Sequence, residues 1–409
     1  MILFRNAALV DGAADRPQPG TEILIEDGHI REVSDRPIAS AGADIIDLRG
    51  RVVMPGLIDC HVHVVAGLPD LARNALLPDS LVAARAASIM RAMLHRGFTT
   101  VRDVGGADWG LKQAQEEGAI EGPRLVISGK ALSQTGGHTD LRGRYDRRDR
   151  TYYTRRLGSL GRIADGVDEV RRACREEIKE GADFIKVMAN GGVASPTDPI
   201  AFLGFSREEL AAAVEEAANA QTYVSAHLYT DDAIRRAVEL GVHSVEHANL
   251  VEPGTARLMA ERGAVAVPTL VTYEALKEEG ASLGLPPVSV AKVDDVRLAG
   301  LRSLETLRQA RVRIAFGTDL LGAMHRHQSR EFALRAQILP AQEVIASTLG
   351  EAARLLRMTG AVGAIQPGAH ADLIVLDGDP LQDIARLADP ARLLAVMQAG
   401  RFITNRLQS

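Results

Sequence analysis

Between residues 52 and 318 the sequence carries eight short apolar runs separated by longer, less apolar stretches. The apolar runs are residues 52–64, 99–104, 124–128, 184–189, 223–227, 244–247, 264–268 and 314–318. Helical patterns lie between them at residues 81–96, 167–179, 206–218, 231–238, 256–262 and 296–309. Runs of this length separated by helices argue for βα units and a parallel sheet. Ser206 and Glu209 make an S-x-x-E capping box ahead of an alanine-rich helix. Eight strands, each followed by a helix, close into an α/β, TIM-like (β/α)8 barrel with its chemistry at the C-terminal strand ends.

The two ends of the chain follow a different pattern. Residues 2–9, 22–26 and 29–33 read as short strands, with an Asp27-Gly28 hairpin turn between the last two. Residues 372–376, 393–398 and 401–404 read likewise, with a turn at 377–380. Such end pieces can pair into one small sheet domain and leave the middle of the chain as the barrel. A net charge of -5 gives no reason to expect nucleic acid. Two cysteines, Cys60 and Cys174, cannot build a disulfide framework. Residues 1–6 lack the pattern of a signal peptide, and no run approaches the roughly 18 apolar residues that span a bilayer. A soluble cytoplasmic protein is the expectation.

The expected strand ends carry the chemistry. His61 and His63 are separated by one residue, so in a strand both imidazoles point to one face, with Cys60 on the other. Lys186 sits inside an apolar strand, where burial lowers the pKa of an amine and leaves it neutral. A neutral amine can add carbon dioxide and become a carbamate, whose two oxygens could bridge two metals. His227 and His247 close the fifth and sixth runs, and Asp319 directly follows the eighth. Six ligand-type side chains at the same end of one barrel describe a metal site, imidazole being the commonest ligand. His29, His95, His243 and His370 lie away from these ends, while His325 and His327 follow strand eight closely enough to line the site. The arginine-rich segment 142–162 reads as a surface loop, or alternatively as a lid or partner contact that attracts carboxylates.

Residues 50–64, 183–192, 223–229, 244–249 and 316–319 resemble the metal-site motifs of the amidohydrolase superfamily. Residues 1–51 and 361–409 resemble its small β-sandwich domain, which leaves 52–360 as the barrel. Gly136-Gly137-His138-Thr139-Asp140, residues 191–196 and Pro268-Thr269-Leu270-Val271-Thr272-Tyr273 are similar to the imidazolonepropionase-related branch, which contains bacterial prolidases and Xaa-Arg/Lys dipeptidases. The resemblance implies one metal on His61, His63 and Asp319 and a second on His227 and His247, with carboxylated Lys186 bridging them. Two Zn2+ ions are the first choice, with manganese, cobalt or iron as alternatives. It further implies a metal-bridging hydroxide as nucleophile and Asp319 as the proton shuttle to the leaving nitrogen. Tyr229 would be a donor to the oxyanion, and His138 would bind substrate.

The implied substrates are small molecules with a free carboxylate, dipeptides or N-acyl-amino acids, with Xaa-Pro and N-acyl-L-proline foremost. Substrates ending in an aromatic residue (including ochratoxin-type amides), or in Arg or Lys, are alternatives. Cyclic amides and a non-catalytic scaffold are others. A scaffold would be expected to have lost ligands, and all six are present. The resemblance also implies a homo-oligomer.

Overall fold

The computed structural model describes residues 1–195 and 197–407; Pro196, which closes the motif 191–196, and the last two residues of the 361–409 segment lie outside the described residues. Four strands come first: β1 (Ile2–Leu9), β2 (Gln18–Glu26), β3 (His29–Ser34) and β4 (Asp44–Asp47). The run 52–64, expected as one strand, is two, β5 (Val52–Pro55) and β6 (Leu57–Val62). Gly56 divides them. A Cβ there would stand 2.1 Å from Thr99 Oγ1, so the chain passes this point only without a side chain.

The middle of the chain supplies β7 (Phe98–Asp103), β8 (Arg124–Ile127), β9 (Ala131–Ser133), β10 (Gly161–Ile163), β11 (Ile185–Met188), β12 (Val224–Thr230), β13 (Ser244–Leu250), β14 (Val265–Val267) and β15 (Arg313–Ile314). The chain closes with β16 (Leu373–Leu376), β17 (Leu393–Gln398) and β18 (Arg401–Asn405). Strands from both ends join one sheet, ordered β18-β17-β16-β5-β1-β2-β3, with β4 beside β1. β5 is the link, antiparallel to β16 and parallel to β1. Its alternation serves two cores: Val52 and Met54 pack with the barrel, and Val53 with Phe4, Ile23 and Val375 of the end sheet.

The barrel strands form two parallel sheets, β6-β7-β8 and β10-β9-β11-β12-β13-β14-β15. Among the described residues no continuous ladder crosses either seam, but backbone hydrogen bonds do. Asp183 N–H donates to Ile127 O at 2.7 Å, and Cys60 N–H to Phe316 O at 2.8 Å. Strand eight is shorter than residues 314–318 suggest. After Ile314 the chain leaves the ladder, and Asp319 N–H turns back onto His61 O at 2.8 Å with φ of +53°. The Ser206–Glu209 capping box is present and opens the helix Arg207–Asn219. The pattern at 296–309 resolves into the end of one helix, Pro287–Arg297, and a second, Gly300–Gln309.

The arginine-rich segment is tied to the chain's own carboxylates. Arg142 pairs with Asp140 at 2.7 Å, Arg150 with Glu169, and Arg162 with Glu177 at 2.9 Å. Among the described residues no helix is long and apolar enough to cross a membrane. Gly56→Ala is expected to destabilise the fold by about 1–3 kcal/mol, the usual cost of overpacking. Urea denaturation should show this as a lower midpoint, and an unchanged midpoint would mean that Thr99 yields without cost.

Candidate metal centre

At the end of β6, His61 and His63 are both buried, with their rings 5.5 Å apart. Each is held through one nitrogen. His61 Nδ1 lies 2.8 Å from Glu246 Oε2, and His63 Nδ1 lies 2.7 Å from Gly105 O. Both partners accept, so each Nδ1 donates to the scaffold and Nε2 is the nitrogen each ring turns towards the site. Asp319 Oδ1 stands 3.4 Å from His61 Nε2 and 3.3 Å from His63 Nε2. Burial would raise the Asp319 carboxyl, but the surrounding histidines, His61 first, hold it well below the usual carboxylate range.

His227 on β12 and His247 on β13 complete a ring of imidazoles; both strands run three residues past the histidines that the sequence pattern places at their ends. His247 lies 4.8 Å from His61 and 4.7 Å from His227, centroid to centroid. His247 Nδ1 is held by Thr269 Oγ1 at 2.8 Å, and His227 Nε2 faces Gly191 O at 3.3 Å. Burial, reinforced by charged neighbours, keeps both rings well below the usual histidine pKa and therefore neutral, the form that ligates. Backbone strain falls inside β13, with φ of +73° at His247 and +55° at Ala248.

Lys186, on β11, is buried, and its Nζ has no hydrogen-bond partner. Burial pulls its pKa down to about 8, although Glu246 acts in the opposite direction. His61, His63, Lys186, His227, His247 and Asp319 line one cavity together with His138 and Tyr229. Ligand atoms of His61, His247 and Asp319 lie within 4.8 Å of one another, a cluster that could hold a cation. The orphaned amine and the neutral imidazoles of His227 and His247 fit a metal site.

Residues that the sequence reading assigned no role set these positions. Glu246 accepts from Arg102 Nη2 at 2.7 Å, Ser225 Oγ at 2.7 Å and Ser244 Oγ at 2.5 Å, besides His61. Arg102 and Glu246 are both fully buried. Burial alone would raise the Glu246 carboxyl, but Arg102 holds it well below the usual range. Asp59 accepts from Thr318 Oγ1 at 2.6 Å and Gln328 Nε2 at 2.9 Å, which fixes the residue before Asp319. The available signal was a charged residue inside an apolar strand, as at Lys186, but such a residue does not name its partner.

His138 stacks on His227, with centroids 4.2 Å apart and planes 15° apart. Its Nδ1 lies 3.1 Å from Ser195 Oγ and 3.4 Å from Asp198 Oδ2. A Cβ on Gly192 would meet the His138 ring at 1.9 Å, so the glycine lets this loop close against the ring. The Tyr229 ring lies 4.7 Å from His227, and its hydroxyl accepts from Tyr273 at 3.1 Å. His325 turns towards Ala66 O at 3.3 Å and His327 pairs with Glu279; neither lines the cavity. The rest of the wall is largely apolar, including Leu71, Leu160, Met188, Val193, Leu276 and Leu321.

Residues 52–403 match the amidohydrolase family. Ochratoxinase from Aspergillus niger is 35% identical over 417 aligned residues, which cover 98% of this chain and 83% of that protein. Among solved structures, an amidohydrolase superposes with a TM-score of 0.97 at 55% identity and covers 100% of both chains. A prolidase complexed with N-methylphosphonate-L-proline superposes with a TM-score of 0.97 at 50% identity over 99% of each chain. The chain belongs to the amidohydrolase family and is a hydrolytic enzyme.

Proposed function

We propose that this enzyme hydrolyses the amide bond before the C-terminal residue of dipeptides or N-acyl-amino acids, with proline the preferred C-terminal residue. The observation that carries the chemistry is the partnerless Lys186 amine among imidazoles each held through one nitrogen. The prolidase at 50% identity over 99% of the chain supports proline. Xaa-Arg and Xaa-Lys are disfavoured by the cavity wall, which among the described residues holds no carboxylate except Asp319. An aromatic C-terminal residue is the second reading, supported by the apolar wall and by the identity to ochratoxinase.

His61, His63 and Asp319 would hold one divalent cation and His227 and His247 a second, with zinc the first choice for these donors. Lys186 would bridge them as a carbamate, formed when its neutral amine adds to the carbon of carbon dioxide and loses a proton. Metal ions held there would acidify a water and polarise the scissile carbonyl. Asp319 takes the proton from the attacking water and returns it to the leaving nitrogen. Tyr229 donates its hydroxyl proton to the carbonyl oxygen as negative charge gathers there. His138, stacked on His227 at the cavity wall, contacts the substrate.

A kinetic screen of Xaa-Pro, Xaa-Phe and Xaa-Arg dipeptides with N-acyl controls, after metal loading in bicarbonate, tests the substrate. The highest kcat/KM is expected for proline; a preference for phenylalanine would move the assignment to the second reading. Lys186→Ala should keep its circular dichroism spectrum and lose turnover, and a fully active variant would remove the carbamate from the account. Tyr229→Phe should lower kcat by roughly 10²–10³, the worth of one oxyanion donor. Full activity in that variant would leave Tyr229 a packing residue.

A further inference from the structure

Strand β14 contributes no donor to the centre, yet the segment that follows it touches three of the elements that do. Thr269 Oγ1 holds His247 Nδ1 at 2.8 Å, Thr272 Oγ1 donates to Asp319 O at 2.8 Å, and Tyr273 Oη donates to Tyr229 Oη at 3.1 Å. The segment is itself anchored by a fully buried ion pair. Arg335 Nη2 donates to Pro268 O at 2.7 Å, Glu331 Oε2 accepts from Val271 N–H at 2.7 Å, and Arg335 and Glu331 meet at 2.8 Å. Tyr229 and Tyr273 are 2% and 1% exposed, and both line the cavity.

We infer that Tyr273 is a positioning residue for catalysis, acting through Tyr229. Two buried hydroxyls at hydrogen-bond distance share one proton along the line between them, and the other proton is free to point elsewhere. With Tyr273 as donor, the oxygen of Tyr229 has its acceptor site filled, and the Tyr229 proton is left for a partner in the cavity. A hydroxyl that also accepts a hydrogen bond is a stronger donor, because the two bonds polarise each other. Tyr273 therefore aims and strengthens the donor that meets the developing oxyanion, without touching substrate. This inference rests on Tyr229 serving as that donor.

The test is a double-mutant cycle of Tyr229→Phe and Tyr273→Phe, measured as kcat and KM on an Xaa-Pro dipeptide with the fully metal-loaded enzyme. Phenylalanine preserves the ring packing, and metal content and melting temperature are recorded for every variant. Tyr273→Phe is expected to lower kcat roughly three- to tenfold, the worth of one neutral hydrogen bond, with little change in KM. In the Tyr229→Phe background the same substitution should have no further effect. An equal loss in both backgrounds, or no loss in the wild-type background, would overturn the inference while leaving Tyr229 as the donor. If Tyr229→Phe alone retained full kcat, both roles would fall together. Should Tyr273→Phe lose metal or melting temperature along with kcat, the double variant decides: a loss that persists without the Tyr229 hydroxyl is structural and overturns the inference.

Discussion

The Glu246 carboxylate is the fixed point of the site. Four donors converge on it, Arg102, Ser225, Ser244 and His61, and none of them is exposed to solvent. A charge buried this completely is tolerated only with its lone pairs filled, and removing one partner of such a pair typically costs about 3–5 kcal/mol. The arrangement is therefore stiff: β7, β12 and β13 are bound to each other inside the barrel through one carboxylate. The free end of that network is His61, whose orientation and protonated nitrogen follow from it. Arg102 is anchored in turn by Cys60 O at 2.6 Å and lies over the Phe184 ring, 5.1 Å from its centroid.

The same principle recurs around the cavity with different partners. A backbone carbonyl fixes His63, a threonine hydroxyl fixes His247, and another carbonyl faces His227. Each imidazole thus has one nitrogen committed to the scaffold and one left for a ligand, the outer-shell arrangement that metal sites require. Lys186 is the exception: it is buried beside this network with nothing to bond. A group so placed needs a further partner, and a carbamate between two cations would supply one. The end sheet contributes indirectly, because β5 belongs to it and hands the chain straight to β6 and the two histidines.

Much of the site could be read from the sequence because it depends on position within single strands. An H-x-H at a strand end, a lysine among apolar residues, and His or Asp closing later runs each state a residue type and a place, and the barrel brings those places together. What could not be read depends on contacts between strands. Arg102 and Glu246 are 144 positions apart, and no periodicity links them. The break at Gly56 depends on the approach of Thr99, and the shortened β15 on a turn back to His61. The added strands β9 and β10 flank the arginine-rich segment, whose composition suggested a loop and concealed its pairing with nearby acids.

On the proposed function, buried hydrogen bonding prepares two adjoining ligand sets that a carboxylated Lys186 would join. Anomalous diffraction from crystals grown with zinc and bicarbonate tests it most directly. The account requires two peaks, one at His61, His63 and Asp319 and one at His227 and His247, with electron density continuing from Lys186 Nζ towards both. A single peak among His61, His247 and Asp319, with Lys186 remaining a bare amine, would contradict it.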